Sequence, residues 1–142
     1  MFLLSTQDIP HFLEAAKLEG IEPRIEDVEG FAKKNRVLLL RHVATDTAID
    51  VSLGILPFEQ EVIERSSLQE FDDSLQVRLP SIEDLIIMKA LPRRPRDLED
   101  IRSLVAKYPD LDIARIENWV KSFGEFLDVP EMWGQIQAIL KD

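Results

Sequence analysis

Cysteine is absent from the 142 residues. That excludes a disulfide framework and any thiolate metal site, and it fits a reducing compartment. Glycine is scarce, with five scattered residues, so neither a phosphate-cradling P-loop nor a dinucleotide fingerprint can be built. The two histidines, His11 and His42, are too far apart for metal-ligand or catalytic spacing. No serine stands in a nucleophile elbow. No apolar run approaches the ~20 residues of a membrane span. The N-terminus has no basic region before Asp8 and does not read as a signal peptide. The expectation is a soluble, cytoplasmic protein that does not enter a membrane. Positive charge is also in short supply: 17 basic residues face 27 acidic ones, for a net charge of −10. Such a surface repels phosphate backbones, so extended nucleic-acid binding is not expected. The local exception is Lys89, Arg93, Arg94 and Arg96, a group sized for a nucleotide's phosphates and too small for a duplex track.

Apolar residues make up 45% of the chain and charged residues 31%, a globular balance with enough apolar material for one core. Met1–Leu4 reads as the end of a strand. Thr6 or Asp8 can cap a following helix, with Pro10 in its first turn, Phe12, Leu13, Ala16 and Leu18 on its apolar side and Gly20 as its stop. Residues 25–34 read as a short helix or an irregular segment. Residues 37–43 and 48–53 are rich in leucine and β-branched residues and flank the polar turn Ala44–Thr47, which predicts a β-hairpin. In its second strand Ile49, Val51 and Leu53 share one face, expected to meet the helices, and Ala48, Asp50 and Ser52 share the other, with Ala48 and Asp50 expected to point toward a shallow cleft. A helix over 57–66, a strand over 75–79 and a helix from Ser81 to Leu91 follow. The spacing of Ser81 and Asp84 resembles a capping box. Beyond Pro95 the pattern is helical: Leu98, Ile101, Leu104 and Val105 form one stripe, Ile113, Ile116, Val120, Phe123 and Leu127 a second, and Trp133, Ile136 and Leu140 a third.

The predicted class is therefore α/β in the α+β sense: a small mixed sheet with flanking helices and a helical C-terminal tail. One domain is expected over 1–142, with its sheet-containing part over 1–91 and its helical part over 92–142.

Three groups could carry chemistry. Asp50 stands in a strand, where a carboxylate is held rigidly enough to ligate a metal; on periodicity alone a solvated outer sheet face is the simpler explanation. Glu83 and Asp84 in the first turn of their helix, and Lys89 in its last, suit the helix dipole without any function. Arg93, Arg94 and Arg96 precede a helix N-terminus, where positive charge is electrostatically out of place. They call for an anion or for carboxylate partners, and Asp97 and Asp100 are the local ones.

The ordered set Ala48-Ile49-Asp50-Val51, Pro57-Phe58-Glu59 with Glu64-Arg65, the Ser81–Lys89 helix and Arg94-Pro95-Arg96-Asp97-Leu98-Glu99-Asp100-Ile101 resembles the minimal nucleotidyltransferases. These include the group related to abortive-infection toxin nucleotidyltransferases. The resemblance runs from about Phe2 to Val105 and implies nucleotidyl transfer from a nucleoside triphosphate to an acceptor, with carboxylates holding Mg²⁺ at the α-phosphate. Asp50 matches the third of the family's carboxylates, and so is the catalytic and metal-ligating position. Lys89 and Arg94 match basic positions on the nucleotide side, and Asp97 matches a structural acid at a helix start. The family's Gly-Ser or Gly-Gly turn and its Asp-x-Asp pair have no match here. Met1–Leu4 resembles the run that follows that pair, so the expectation is an N-terminally shortened member with impaired catalysis. The rival is a module that keeps the fold to bind a partner or a nucleotide. A strand edge at Met1–Leu4 or the C-terminal helices would carry any self-association or partner.

Overall fold

The computed structural model describes residues 4–54, 56–72 and 75–141. The chain divides into two compact units, Met1–Ile63 and Glu64–Asp142. The apolar run expected to end a strand lies outside the described residues except for Leu4.

The first unit contains α1 (Ile9–Leu18), β1 (Ile21–Pro23), α2 (Val28–Asn35), β2 (Val37–His42) and β3 (Thr47–Ser52). Asp8 occupies the N-cap of α1, Pro10 sits in the first turn, and Gly20 beyond the end takes a left-handed φ of 70°. The ambiguous stretch around residue 30 is helix α2, because the Asp27 carboxylate accepts from the Gly30 N–H and caps it. The three strands form one antiparallel sheet in the order β1-β2-β3, and β2 and β3 are the expected hairpin, pairing Val37 with Ser52 and His42 with Thr47. The turn reverses through Asp46 in the left-handed region at φ 51°. It is braced by the His42 Nδ1 contact to the Thr45 hydroxyl and the Thr45 hydroxyl contact to Thr47, both 2.8 Å. β1, three residues long, has too little alternation to be visible in the sequence.

Strand alternation decides which side is core. Leu38, Leu40, Val51 and Leu53 point to one face and pack with Ile9 of α1 and Val28 and Ala32 of α2; Ile49 is partly buried against them. Ala48, Asp50 and Ser52 are exposed on the other face. The two-sidedness of β3 is thus as its sequence pattern predicts.

Helix α3 (Pro57–Arg65) leads into the second unit, which contains β4 (Ser67–Asp72), β5 (Leu75–Leu79), α4 (Ile82–Ala90), α5 (Pro95–Lys107), α6 (Ile113–Phe126) and α7 (Met132–Lys141). β5 and the helices fall where the sequence places them. β4 was not expected, because Ser67-Leu68-Gln69-Glu70 has little β-propensity of its own. It pairs antiparallel with β5 in a separate two-stranded sheet. The described strands therefore form two small antiparallel sheets within an α+β architecture.

The four C-terminal helices pack in a ring, α4 against α5 and α6, and α7 against α5 and α6. Ile86 and Ile87 of α4 are consecutive and both fully buried. A helix that buries neighbouring positions is covered on more than one side. Ile101, Ile116, Val120, Met132 and Ile136 complete this core. Ile113 and Leu127, expected on the buried stripe of α6, are 41% and 47% exposed. They lie at the start of the helix and just past its end, where the neighbouring helices no longer cover the stripe.

Leu38 is fully buried in the central strand. Leu38→Ala should cost about 2–5 kcal/mol of unfolding free energy in urea titration. Val43→Ser, at a position 50% exposed, should stay within ~0.5 kcal/mol of wild type.

Candidate functional site

Asp50 faces Leu39 in the β2–β3 register. On the far side of Leu39, the Arg24 backbone N–H donates to the Leu39 carbonyl at 2.9 Å, prolonging β1 by one residue. Arg24, Leu39 and Asp50 therefore form a row across the sheet, spanning two strand spacings, about 10 Å. The long Arg24 side chain crosses Leu39 and its guanidinium donates to the Asp50 carboxylate. The side chain of Asp50 remains 64% exposed. α1 and α2 pack on the opposite face, so in the first unit Asp50 stands on an open sheet surface and not in the shallow cleft that alternation alone led us to expect. A carboxylate there can exchange its guanidinium partner for another cation without being dehydrated first.

The basic group lies in the second unit. Lys89, in the last turn of α4, reaches the first two turns of α5: its Nζ is 2.6 Å from Asp100 Oδ2 and 4.0 Å from Asp97 Oδ1. Arg94, the N-cap residue of α5, places its Nε 3.7 Å from Asp97 Oδ2. Lys89 and Arg94 thus converge on one carboxylate, Asp97. Arg93 turns away, in a left-handed conformation at φ 53°, and pairs with Glu131 at 3.2 Å. Of the two explanations for basic residues before a helix N-terminus, carboxylate partners are present. Arg94 is 76% exposed, so it is open to a ligand. Lys89 also borders a cavity of about 260 Å³ with Leu85, Asp100, Ser103, Leu104 and Lys107. The hydrogen bond from Lys89 holds the Asp100 carboxyl below its usual range, with the Lys89 and Arg96 charges adding to the effect.

A third group escaped the sequence reading. Asp84 is fully buried. The Ser81 hydroxyl accepts from its backbone N–H at 3.1 Å, as a helix cap does. Its carboxylate does not serve the dipole alone: it accepts from Arg115 Nε of α6 at 2.8 Å, and Arg65 lies 3.5 Å from its other oxygen. Next to it, the Glu83 carboxylate accepts from the Asp112 N–H at 3.3 Å, at the start of α6. Burial raises the Glu83 carboxyl. The backbone N–H groups of Glu83 itself and of Asp112, the Ser81 hydroxyl and the Arg65 charge outweigh that and hold it below its ordinary value. Arg115 could have been flagged by the argument applied to Arg93–Arg96, since it too carries positive charge into the first turn of a helix.

Mg²⁺ takes six oxygens and is usually held by one or two carboxylates together with substrate phosphates and water. Among the described residues no three His, Cys, Asp or Glu side chains come together to hold a metal ion. Among the described residues no helix is long and apolar enough to cross a membrane.

An α+β chain with two small antiparallel sheets and a helical C-terminal part is consistent with a small nucleotidyltransferase-type fold. The chain belongs to the family described as nucleotidyltransferase of unknown function (DUF6036), whose model matches residues 6–131. No curated protein matches the chain.

Removing one partner of a buried ion pair strands the other charge. Asp84→Ala should therefore lower stability by about 3–5 kcal/mol in denaturant titration, and Arg115→Ala by a comparable amount. The depressed Glu83 carboxyl adds stability above the ordinary carboxylate range that disappears as pH falls through its folded value. Thermal unfolding of Glu83→Gln should show a deficit against wild type at pH 7 that shrinks below about pH 4.

Proposed function

We propose that this chain serves nucleotidyl transfer from a nucleoside triphosphate to an acceptor. By the family resemblance, Asp50 of the first unit would hold Mg²⁺, and Lys89 and Arg94 of the second unit would meet phosphate oxygens. Membership of a nucleotidyltransferase family supports the reaction class. The observation that carries the residue assignment is the convergence of Lys89 and Arg94 on Asp97. Two basic groups on different elements lie within 4.0 Å of one carboxylate, while Asp100 accepts the hydrogen bond of Lys89 at 2.6 Å. When bound, Mg²⁺ would offset charge at the reacting phosphate. Arg94 offers a planar fork for phosphate oxygens and Lys89 a point charge. The chain's net charge of −10 favours a metal-neutralised nucleotide over a bare triphosphate.

The Gly-Ser turn and Asp-x-Asp pair of the nucleotidyltransferases this chain resembles are not among these residues. Transfer by this chain alone is accordingly weak. The second reading is a module that binds nucleotide or partner without transfer. It draws on the internal pairing of Asp50, Lys89 and Arg94 with other side chains.

Calorimetric titration with nucleoside triphosphates, with and without Mg²⁺, and transfer of labelled nucleotide to protein and RNA acceptors separate the two. We expect Mg²⁺-dependent binding that Lys89→Met and Arg94→Ala each weaken by about tenfold or more. We also expect faint labelling that Asp50→Asn abolishes. Binding without labelling favours the module. No nucleotide binding at millimolar concentration removes the assignment of Lys89 and Arg94.

A further inference from the structure

Between α4 and α5 the chemistry changes in a fixed order along the groove. The two helices pack together, and their side chains meet in antiparallel sequence. Lys89 reaches Asp97 and Asp100. Leu85, one turn earlier on α4, borders the same hollow as Leu104, one turn later on α5. Asp97, Asp100, Ser103, Leu104 and Lys107 fall within about 120° of the α5 surface, so they form one face, and from Asp97 to Lys107 that face runs about 15 Å. From the N-terminus of α5 onward it offers Arg94 and Lys89 beside Asp97, then the Asp100 carboxylate, then Leu85 and Leu104, and last Lys107. The hollow encloses about 260 Å³. Pockets for whole ligands run to about 300–1,000 Å³ and are mostly apolar with a few polar groups. A space below that range, shared with the basic group through Lys89, suits one part of a larger ligand. Leu85 and Leu104 are only half-buried, which leaves apolar surface for that part to cover.

We propose that this hollow takes the nucleoside part of the triphosphate: the base lies on Leu85 and Leu104, the sugar hydroxyls donate to Asp100, and the phosphates run back along α5 to Lys89 and Arg94. This rests on the reading that Lys89 and Arg94 meet phosphate oxygens. A nucleotide is itself charged, then polar, then flat and apolar along its length, and the groove repeats that order. The Asp100 carboxylate repels phosphate and accepts from hydroxyls, so the sugar and not a further phosphate belongs beside it. In the empty groove Lys89 occupies that carboxylate at 2.6 Å. When Lys89 turns to a phosphate, the Asp100 oxygens are released to the sugar. Lys107, whose Nζ stands over the Tyr108 ring at 5.4 Å, closes the far end and can donate to an acceptor on the base edge.

Calorimetric titration of the full chain in Mg²⁺ tests it by comparing the four common ribonucleoside triphosphates with inorganic triphosphate, which has the phosphates and no nucleoside. The tightest of the four should bind at least about tenfold more tightly than inorganic triphosphate. Ser103 is exposed at the side of the hollow, and its hydroxyl donates to the Glu99 carbonyl four residues back, a bond that does not hold a helix together. Ser103→Phe fills the hollow and should remove the tenfold advantage. Inorganic triphosphate should bind the variant as before, which also shows that the variant is folded. The 2′,3′-dideoxy form of the same nucleotide should bind at least about threefold more weakly than its parent. Equal affinity for inorganic triphosphate and the nucleoside triphosphates overturns the proposal and leaves the phosphate assignment standing. So does a folded Ser103→Phe variant that keeps the full advantage. A dideoxy form that binds as well as its parent overturns the place given to the sugar. If no ligand binds at millimolar concentration, the reading of Lys89 and Arg94 fails and the proposal falls with it.

Discussion

The buried carboxylate of Asp84 is the constraint on which the helical unit rests. A negative charge with no solvent exposure must have its cations in place, and Arg115 and Arg65 supply them. Replacing such a cluster by well-packed apolar residues could leave the protein equally stable. What the charge adds is orientation. Turning α4 by a single residue, about 100°, would aim Asp84 at apolar neighbours and leave two guanidinium groups without it. The same helix carries Lys89 five residues on, about 140° further round. α4 therefore presents its acid to α6 and its base to α5, and fixing the first direction fixes the second. The geometry at Asp97 and Asp100 inherits its alignment from a salt bridge on another side of the helix.

The parts of this fold that show in the sequence are those whose side chains must alternate or recur. β3 is legible because Ile49, Val51 and Leu53 have to face a core while Asp50 and Ser52 do not. α5 and α6 are legible because Ile101, Ile116 and Val120 sit at helical spacing. β1 and β4 are not, because a strand defined by backbone pairing needs no side-chain pattern. The candidate site divides in the same way. The unfavourable charge of Arg93, Arg94 and Arg96 at a helix start signals partners, and Asp97 and Asp100 are found there. Asp84 stays hidden because its local role, an acid in the first turn beside a serine cap, fully accounts for it; its long-range partner Arg115 lies thirty-one residues away. Arg24 stays hidden because nothing local distinguishes it from a solvated arginine.

Scarcity of glycine shapes the corners. Arg36, Asp46, Arg93 and Asp128 all take positive φ, a conformation that costs a residue with a side chain of order 1 kcal/mol. Arg36 ends α2, Asp46 reverses the hairpin, Arg93 separates α4 from α5, and Asp128 follows α6. At two of these corners the side chain recovers something that glycine could not supply: Asp46 accepts from Arg41 at 3.2 Å, and Arg93 pairs with Glu131. The chain thus turns with charged residues and uses their ends as ties.

The Arg24–Asp50 pair gives the open face of the sheet the character of a competitive equilibrium. A cation that seeks Asp50 competes with a guanidinium tethered to the same sheet, whose effective concentration does not fall on dilution. Its apparent dissociation constant is the intrinsic one divided by the fraction of time the carboxylate stands free. A pair closed nine times in ten makes the site about tenfold weaker than a bare aspartate. Under the proposed function, such a carboxylate would discriminate by charge density and by multiplicity: a monovalent ion would gain little by displacing the arginine, whereas a divalent ion arriving with phosphate oxygens already attached would leave the released guanidinium an anion to bind. Occupancy would then track the metal–phosphate complex and not the free ion.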